Sequence, residues 1–302
     1  MSVLVIFNPI SGAGRARGLA EAAADAARSR GLDVELLPTS PGPADAWLRE
    51  PIRGRRALVV VGGDGAVRFA APEAVRAGVP LVHCPAGNEN LFAREFGMTA
   101  VASEVAETLA TGQVRRIDLV RASIEGRDDE AVAIMASFGF DAEVVHDLAS
   151  VRTGTVNNLS YVRPILRRMR AFDPPRISAR VDGEPVADGI PGMVVVANSR
   201  QYASRLDPAR RAIMDDGLID LVILPARSVS DLLGWMVRMR FGAHMRDPRL
   251  IYRTGRRIEL ELDPPSVWQA DGDPPRTSEP TGQVRFDVEP GVLAILEPPR
   301  TA

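Results

Sequence analysis

Three glycines and one aspartate, Gly62, Gly63, Asp64 and Gly65, come directly after a hydrophobic run at residues 57–61 and before a helical pattern. A turn without side chains lets an anion approach the backbone N–H groups closely, and the N-terminus of the next helix adds favourable partial charge. A carboxylate beside polyphosphate is repulsive unless a cation lies between them. The turn therefore predicts either a metal–nucleotide site or, as the alternative, a purely structural turn.

Two further polar loops follow predicted strands of the same region. Residues 8–14 follow the apolar run at 3–7, and residues 85–90 follow the run that ends at Cys84. The carboxyl ends of parallel strands share one edge of a sheet, so we expect the three loops to surround one ligand. For the first loop the alternative is a helix N-cap made by Ser11.

The elements that must position these loops differ between the two halves of the chain. Up to about residue 118, short apolar runs alternate with helical patterns, as in a Rossmann-like parallel sheet. Beyond it, apolar runs bounded by Gly, Asp-Gly or Pro predict antiparallel strands, including one over 131–138. The predicted domains are residues 1–118 for nucleotide and 119–285 for an acceptor, with residues 286–302 as a C-terminal segment able to return to the first domain. For the strand predicted at 292–296 within it, pairing in either domain stays open.

Composition excludes several classes of protein. The 302 residues carry a net charge of −2, which argues against nucleic acid as the partner. All 37 basic residues are arginine, so a Walker A loop, a pyridoxal Schiff base and the protein kinase lysine are excluded. Cys84 is the only cysteine, which predicts a buried thiol and a reducing compartment. With neither a basic leader nor an apolar run of membrane-spanning length, we expect a cytoplasmic protein.

An ordered series of motifs along the chain resembles one known family. The motif residues are Asn8, Pro9, Ser11 and Gly12; Gly62 to Gly65; Pro85, Gly87 and Asn90; Gly139 to Ala142; Val181 to Glu184; Asn198; Asp215 to Asp220; and Gln269 to Asp273. This series resembles the diacylglycerol kinase and sphingosine kinase superfamily, particularly its soluble bacterial lipid kinases. The resemblance covers nearly the whole chain and implies an NAD kinase-like nucleotide domain followed by an antiparallel β-sandwich-like domain.

The resemblance also implies an activity and its residues. It implies a lipid kinase of phospholipid metabolism that uses ATP and Mg²⁺ to phosphorylate a hydroxyl of a lipid-like acceptor, bound in a cleft between the two domains. The implied ATP contacts are Asn8, Pro9, Ser11, Gly12, Thr39, Gly62, Gly63, Asp64, Gly65, Ala66, Gly87, Asn88 and Asn90. A structural Mg²⁺ is implied at the Asp216 carboxylate and the carbonyls of Ile213 and Leu218, and Asp273 is the implied base, with Asp64 as a second catalytic residue.

The chain departs from the family pattern at several of these positions. Ala66 and Arg68 stand where relatives have threonine and asparagine, and Asn88 replaces a second threonine. Asp273 replaces glutamate and reaches about 1.5 Å less. Any cation at the phosphates must be arginine, so Arg15, Arg17 and Arg68 are candidates, with solvated helix charges as the alternative.

Two alternatives to a lipid kinase stay open. One is a kinase of the same fold that phosphorylates a soluble metabolite such as NAD, and the other is a pseudokinase that binds nucleotide or lipid without catalysis. Basic amphipathic helices predicted at 161–171 and 232–241 favour either peripheral docking on an anionic bilayer or ordinary packing over a sheet. A homodimer is equally open.

Overall fold

The computed structural model describes residues 2–9, 11–150, 162–170 and 172–299. Its contacts divide the chain into two compact units. The first comprises Met1–Ile117 with Gly291–Ala302, and the second comprises Asp118–Pro290. Each unit has its own hydrophobic core.

The first unit is built on a parallel sheet. Its strands are β1 (Val3–Phe7), β2 (Val34–Pro38), β3 (Ala57–Gly62) and β4 (Leu81–Pro85). They pair in the order β2-β1-β3-β4, so β2 lies on one side of β1 while β3 and β4 lie on the other. The strand order therefore reverses between β1 and β3. Every residue of β1 and β3 is buried, as expected of parallel strands covered on both faces. In open α/β sheets such a reversal point is where ligands bind.

Helices cover both faces of this sheet. They are α1 (Arg15–Ser29), α2 (Ala44–Trp47), α3 (Asp64–Ala77), α4 (Leu91–Phe96) and α5 (Ala102–Thr111). The buried residues of α1 are all alanines, at spacings of three and four, so the helix packs closely on the strands through one narrow stripe. This packing brings the N-terminus of α1 to the edge where β1 ends.

The second unit is antiparallel. Its strands are β5 (Gln113–Ser123, which begins in the first unit), β6 (Glu130–Val132), β7 (Met135–Phe138), β8 (Arg176–Val181), β9 (Glu184–Ala197), β10 (Ile219–Pro225), β11 (Ile251–Gly255), β12 (Arg257–Ser266), β13 (Trp268–Ala270) and β14 (Thr281–Glu297). The first half of β9 pairs with β8, and its second half pairs with β7 and β10. One core lies between these two groups of strands, with Phe138, Trp268 and Phe286 in mutual ring contact.

Within the described ranges, the α-helices of this unit are α6 (Phe140–Ser150), α7 (Val162–Arg170) and α8 (Val229–Arg240). The predicted helix at 161–171 corresponds to α7, and its two end residues lie outside the described part of the chain. In the described part, no helix combines the length and apolar character needed to cross a membrane.

The predicted fold class, a parallel α/β unit followed by an antiparallel unit, is confirmed. The single strand predicted over 131–138 is wrong, because bends at Ala133 and Ile134 separate β6 from β7. The buried Asp271 carboxylate binds the amides of both residues, so a long-range contact breaks the strand. The last strand takes part in both units, and Ile295 near its end pairs in parallel with Leu81.

Candidate functional site

The three polar loops meet at the carboxyl edge of the parallel sheet. A Cβ atom on Gly12 would lie 2.6 Å from the carbonyl oxygen of Ala86, and one on Gly87 would lie 2.8 Å from the Cα atom of Gly63. Only glycine permits both approaches. The loops after β1, β3 and β4 are therefore in direct backbone contact, at the reversal point of the sheet.

The Gly62 carbonyl anchors the central turn to β4. It accepts hydrogen bonds from the Ala86 amide at 2.7 Å and from Nε2 of His83 at 2.9 Å. His83 is fully buried, and this burial lowers its pKa to about 4 although the hydrogen bond to Gly62 acts in the opposite direction. A neutral imidazole with its proton on Nε2 therefore supports the turn at physiological pH.

Asp64 occupies a structural position in this edge. Its two carboxylate oxygens accept the amides of Leu91 at 2.8 Å and Phe92 at 2.9 Å, the first residues of α4. Side-chain oxygens at a helix N-terminus both satisfy open N–H groups and complement the helix dipole. The hypothesis that Asp64 faces the metal–nucleotide complex is therefore not favoured by this geometry. The carboxylate ties the second loop to the third, which makes Asp64 a positioning residue.

The third loop is closed by its own amide side chain. Asn90 has a positive φ of 48°, accepts the Gly87 amide at 2.9 Å and donates to the Gly87 carbonyl at 2.9 Å. Asn88, at the tip of this loop, is exposed. Asn90 thus shapes the loop, and Asn88 is the predicted contact that faces outward.

The first loop leads into α1 without a side-chain cap. Gly14 is the N-cap residue, and no side chain accepts a hydrogen bond there, so the alternative of a Ser11 N-cap is wrong. Residues 8, 9, 11 and 12 are half-buried. Thr39, also half-buried, follows β2 and donates its backbone amide to the Phe7 carbonyl, next to Asn8. The predicted contacts Asn8, Pro9, Ser11, Gly12 and Thr39 therefore lie along one edge.

Helix α3 likewise begins without a side-chain cap. Gly63 is its N-cap residue, while the acidic side chain of its first turn, Asp64, reaches α4 instead. Gly65 is buried and Ala66 half-buried in this first turn. A cavity of about 570 Å³ opens beside the loops, lined by Gly14, Arg15, Gly18, Leu19, Pro85, Ala86, Gly87 and Ala100. The N-terminus of α1 lines this cavity, and the N-terminus of α3 lies against the cavity residue Gly87 through Gly63. Two helix N-termini without side-chain caps are suited to phosphate groups.

The three candidate arginines occupy different environments. Arg15 is exposed and donates from Nε to the Gly12 carbonyl at 2.9 Å. The Arg17 guanidinium lies 5.6 Å from the ring centroid of Phe7. Arg68 is 1% exposed, with its guanidinium over the Phe69 ring, so the reading of Arg68 as a solvated helix charge is wrong. Arg15 is the candidate that stands beside the cavity.

The second unit contains another aspartate–glycine turn, which presents Asp273. Ala270 and Asp273 exchange backbone hydrogen bonds, and the two residues between them both have positive φ, 52° at Asp271 and 84° at Gly272. This is the pattern of a two-residue hairpin turn, which strongly favours Asp-Gly. Asp273 is half-buried and is held at the end of a tight, well-defined turn.

Asp271 fastens this turn to the unit. It is 4% exposed, and its carboxylate accepts the amides of Ala133, Ile134 and Met135 at 2.8 to 2.9 Å. Three charge-assisted bonds compensate a carboxylate that is otherwise costly to bury. The left-handed conformation at Asp271 is thus maintained by contacts far away in sequence.

Gln269 is a second support, which the sequence analysis missed. Its Oε1 accepts the Gly272 amide at 2.8 Å, and its Nε2 donates to Ser137 Oγ at 2.7 Å and to Asp141 at 3.0 Å. The hydroxyl of Tyr202 also bonds to Asp141, and burial raises its pKa well above the usual value. Polar residues inside otherwise apolar strands, such as Ser137 and Gln269, were the signal that could have found this network.

The predicted metal ligands lie on one short loop before β10. Asp216 and Ile213 are exposed, Leu218 is half-buried, and an Asp216 oxygen accepts the Leu218 amide at 3.0 Å. Asp118 fixes the loop by accepting the Gly217 amide at 2.7 Å. Burial raises the pKa of Asp220 to about 6, and the nearby Asp216 charge adds to this.

This donor set fits a hard divalent cation. One carboxylate and two backbone carbonyls are the oxygen ligands that Mg²⁺ accepts, with water completing its shell. Over the described ranges, no cluster of three or more His, Cys, Asp or Glu side chains suggests a different metal site. The site on Ile213, Asp216 and Leu218 stays a prediction.

Comparison with protein families assigns both halves of the chain. The diacylglycerol kinase catalytic domain model matches residues 2–122, and the model of the YegS C-terminal NAD kinase beta sandwich-like domain matches residues 134–297. Together the two matches cover the glycine-rich loops and the turn at Asp273.

Individual proteins are similar over nearly the full length. A diacylglycerol kinase of Mycobacterium tuberculosis (strain CDC 1551 / Oshkosh) is 29% identical, over 90% of this chain and 88% of its own. A probable lipid kinase YegS-like of Stenotrophomonas maltophilia (strain K279a) is 26% identical, over 90% and 89%. The crystal structure of a putative diacylglycerol kinase from Bacillus anthracis str. Sterne shares the fold, with a TM-score of 0.73 at 19% identity over 99% of this chain and 97% of that one.

Proposed function

The chain belongs to the family of diacylglycerol kinases and YegS-like lipid kinases, and from that premise we propose that it transfers the γ-phosphoryl group of ATP to a hydroxyl of a lipid-like acceptor. The observation that carries the proposal is the edge of the parallel sheet, where the N-termini of α1 and α3 lack side-chain caps and three loops touch through Gly12, Gly63 and Gly87. Anion binding by open backbone amides suits a chain that has no lysine.

The nucleotide half of the proposal assigns distinct tasks to the loop residues. The backbone around Gly62, Gly63 and Gly65 holds the phosphates, while His83 and Asp64 keep the turn in place from behind. Phosphoryl transfer demands alignment and neutralisation of charge more than covalent help from the protein. Mg²⁺, when bound, supplies neutralising charge, and the loop at Asp216 is proposed to hold the structural ion.

On the acceptor side, we assign the proton-accepting role to Asp273. Its carboxylate stands at the end of a turn that Asp271 and Gln269 hold in place with three hydrogen bonds each. An aspartate at this position reaches about 1.5 Å less than a glutamate. A rigid support fixes the position of this shorter side chain, and a base must be held within hydrogen-bonding distance of the hydroxyl.

The names of the relatives, diacylglycerol kinase and lipid kinase, support the proposal of a lipid-like acceptor. Diacylglycerol and sphingoid bases are the candidate acceptors, and a peripheral contact with the membrane is part of the proposal. A kinase of the same fold that acts on a soluble metabolite is the enzymatic alternative.

The test is phosphate transfer from γ-labelled Mg-ATP to a panel of diacylglycerol, sphingoid base, ceramide and NAD. We expect labelled lipid with the wild type and a rate of labelling lower by about 10²-fold or more with Asp273→Asn. Labelled NAD alone would replace the lipid kinase by the metabolite kinase. If no acceptor is labelled while Mg-ATP still raises the melting temperature, the enzyme proposal is lost and a nucleotide-binding pseudokinase remains.

A further inference from the structure

Helix α8 has two apolar faces, and only one of them packs on the second unit. Leu232, Trp235 and Met239 are buried, and Trp235 donates its indole N–H to the Pro225 carbonyl at 2.7 Å. One buried apolar face of this kind is what an ordinary surface helix shows. It does not account for the remaining large apolar residues of the helix.

The opposite face carries an exposed apolar stripe. Leu233 is 46% exposed, Val237 is 61% exposed and Phe241, which directly follows the helix, is 78% exposed. Residues four apart on a helix lie one above the other, so the three side chains form a continuous row. We call this row the α8 stripe. Single exposed apolar residues are common, whereas an aligned row with rising exposure indicates an interaction surface.

The surroundings of the α8 stripe are basic. Residues 227–249 contain five arginines and two aspartates, a net charge of +3 in a chain whose total is −2. Asp247 lies 3.2 Å from Arg238 and 2.9 Å from Arg249, and its pKa falls to about 2, chiefly through its hydrogen bond to Arg249. Asp231 also lies within ion-pair distance of Arg249. Both acids of the segment are thus already matched by arginines.

Three arginines of this segment are left to face solvent. Arg227, Arg240 and Arg246 are exposed, and the described residues place no carboxylate within ion-pair distance of them. Arg240 follows Val237 by three positions and precedes Phe241, so its charge stands beside the α8 stripe. The stripe is therefore an apolar row with uncompensated positive charge along its side.

We propose that the α8 stripe, with Arg240 and Arg246, docks the protein on an anionic lipid surface, a proposal that rests on the lipid kinase function given above. Apolar side chains enter the boundary between headgroups and acyl chains, and arginines attract anionic headgroups. A second copy of the chain is a poor occupant of this surface, because each copy would bring a segment with a net charge of +3 and the two segments would repel each other. A kinase docked in this way would take its acceptor from the bilayer rather than from solution.

The experiment is sedimentation of the full chain with phosphatidylcholine vesicles that contain or lack phosphatidylglycerol. Val237→Asp is compared with Val114→Asp, because Val114 lies in the other unit and is 60% exposed. We expect Val237→Asp to weaken binding to the anionic vesicles about tenfold or more and Val114→Asp to leave it unchanged. Arg240→Gln with Arg246→Gln should weaken binding to anionic vesicles and reduce its dependence on salt.

Three outcomes would overturn the docking proposal: equal binding of wild type and Val237→Asp, equal loss in both valine variants, or equal binding of the wild type to neutral and anionic vesicles. A dimer in ultracentrifugation that Val237→Asp dissociates, without an effect on vesicle binding, would assign the stripe to self-association instead. Labelling of a short-chain diacylglycerol in detergent micelles separates this proposal from the kinase proposal. We expect wild type and Val237→Asp to be equally active there; an inactive wild type with intact docking would defeat the kinase proposal alone.

Discussion

Each unit of the protein contains a buried aspartate followed by glycine, and the two pairs solve a similar problem differently. Asp64 accepts two backbone amides from α4, and Asp271 accepts three from residues 133–135. In both turns the carboxylate accepts backbone amides from a segment distant in sequence. The comparison teaches that the aspartate of such a motif can be the support, while the residues beside it meet the substrate.

The two turns differ in what they present. Gly63, beside Asp64, has an extended backbone and presents N–H groups at the start of a helix without a side-chain cap. Asp273 directly follows a hairpin turn whose two central residues, Asp271 and Gly272, have positive φ, and it presents its carboxylate side chain. The first arrangement suits an anionic ligand, and the second suits removal of a proton.

The largest expected effect on activity separates the supporting aspartate from the reactive one. Asp273→Asn should lower the lipid phosphorylation rate by about 10²-fold or more, as expected for loss of a general base. Its stability should change little, because the carboxylate is half-buried and the turn is held by backbone bonds and by Asp271. The measurement is kcat beside a urea denaturation curve. Full activity in this variant would remove Asp273 from the proposed mechanism.

The supporting aspartates should affect stability in the order of the bonds they make. Asp271→Ala leaves three buried amides without an acceptor and should destabilise the protein by about 4 kcal/mol, against about 2 kcal/mol for Asp64→Ala with two amides. Urea unfolding followed by tryptophan fluorescence measures both. The reverse order would contradict the parallel drawn between the two turns.

A methyl group should block the contact between the second and third loops. Gly87→Ala would place Cβ 2.8 Å from the Gly63 Cα atom, which the backbone can relieve only by moving. We expect about 2 kcal/mol lower stability and an affinity for Mg-ATP reduced about tenfold, measured by calorimetry.

The matched control for stability is Gly18→Ala on α1, where a Cβ has no neighbour within 4 Å; it is compared by unfolding alone, because Gly18 lines the cavity beside the loops. Because alanine favours a helix over glycine by about 1 kcal/mol, this variant should be as stable as the wild type or more so. Unchanged nucleotide affinity in Gly87→Ala would mean that the contact of these loops does not shape the nucleotide site.

A pH dependence of stability is expected from His83, which supports the turn at Gly62. The pKa of His83 is about 4 in the folded protein and near 6.5 when unfolded, so the unfolded chain takes up the proton first as pH falls. Stability is complete above pH 6.5 and is lost on the way down to pH 4, by about 2 kcal/mol at pH 5. His83→Gln keeps a donor for the Gly62 carbonyl and should lack this loss.

The raised pKa of Asp220 acts in the opposite direction, since its folded form binds a proton near pH 6 and gains stability as pH falls. The quantity to compare is therefore the difference between wild type and His83→Gln at pH 7 and at pH 5. An equal pH dependence of both proteins would show that His83 does not titrate as its burial indicates.

Much of the fold could be predicted because it depends on local pattern. Continuous apolar runs of β-branched residues predict β1, β3 and β4, and each polar loop follows directly from its strand. Parallel pairing then places all three loops at one edge. The break between β6 and β7 was not predictable, because the cause, Asp271, lies about 137 residues further along the chain.

The roles of individual site residues were less predictable than their location. Asp64 and Asn90 belong to the expected loops, but their side chains bind backbone groups of neighbouring segments. Gln269 belongs to a motif identified in the sequence, yet its link from Gly272 to Asp141 exists only in the folded unit. Sequence spacing gives the position of a side chain along an element and not the direction of its hydrogen bonds.

The two kinds of unit, the family and the three loops at a sheet edge can be predicted from the chain alone, because hydrophobic periodicity and glycine turns are local properties. The contacts of Asp64 and Asp271 with distant amides, and the exposure of one row of α8, become visible only in the folded protein. The role of each aspartate depends on which distant backbone amides lie within hydrogen-bonding distance of it, and the exposure of each helix face depends on which face packs on the core. Both are settled when the chain packs.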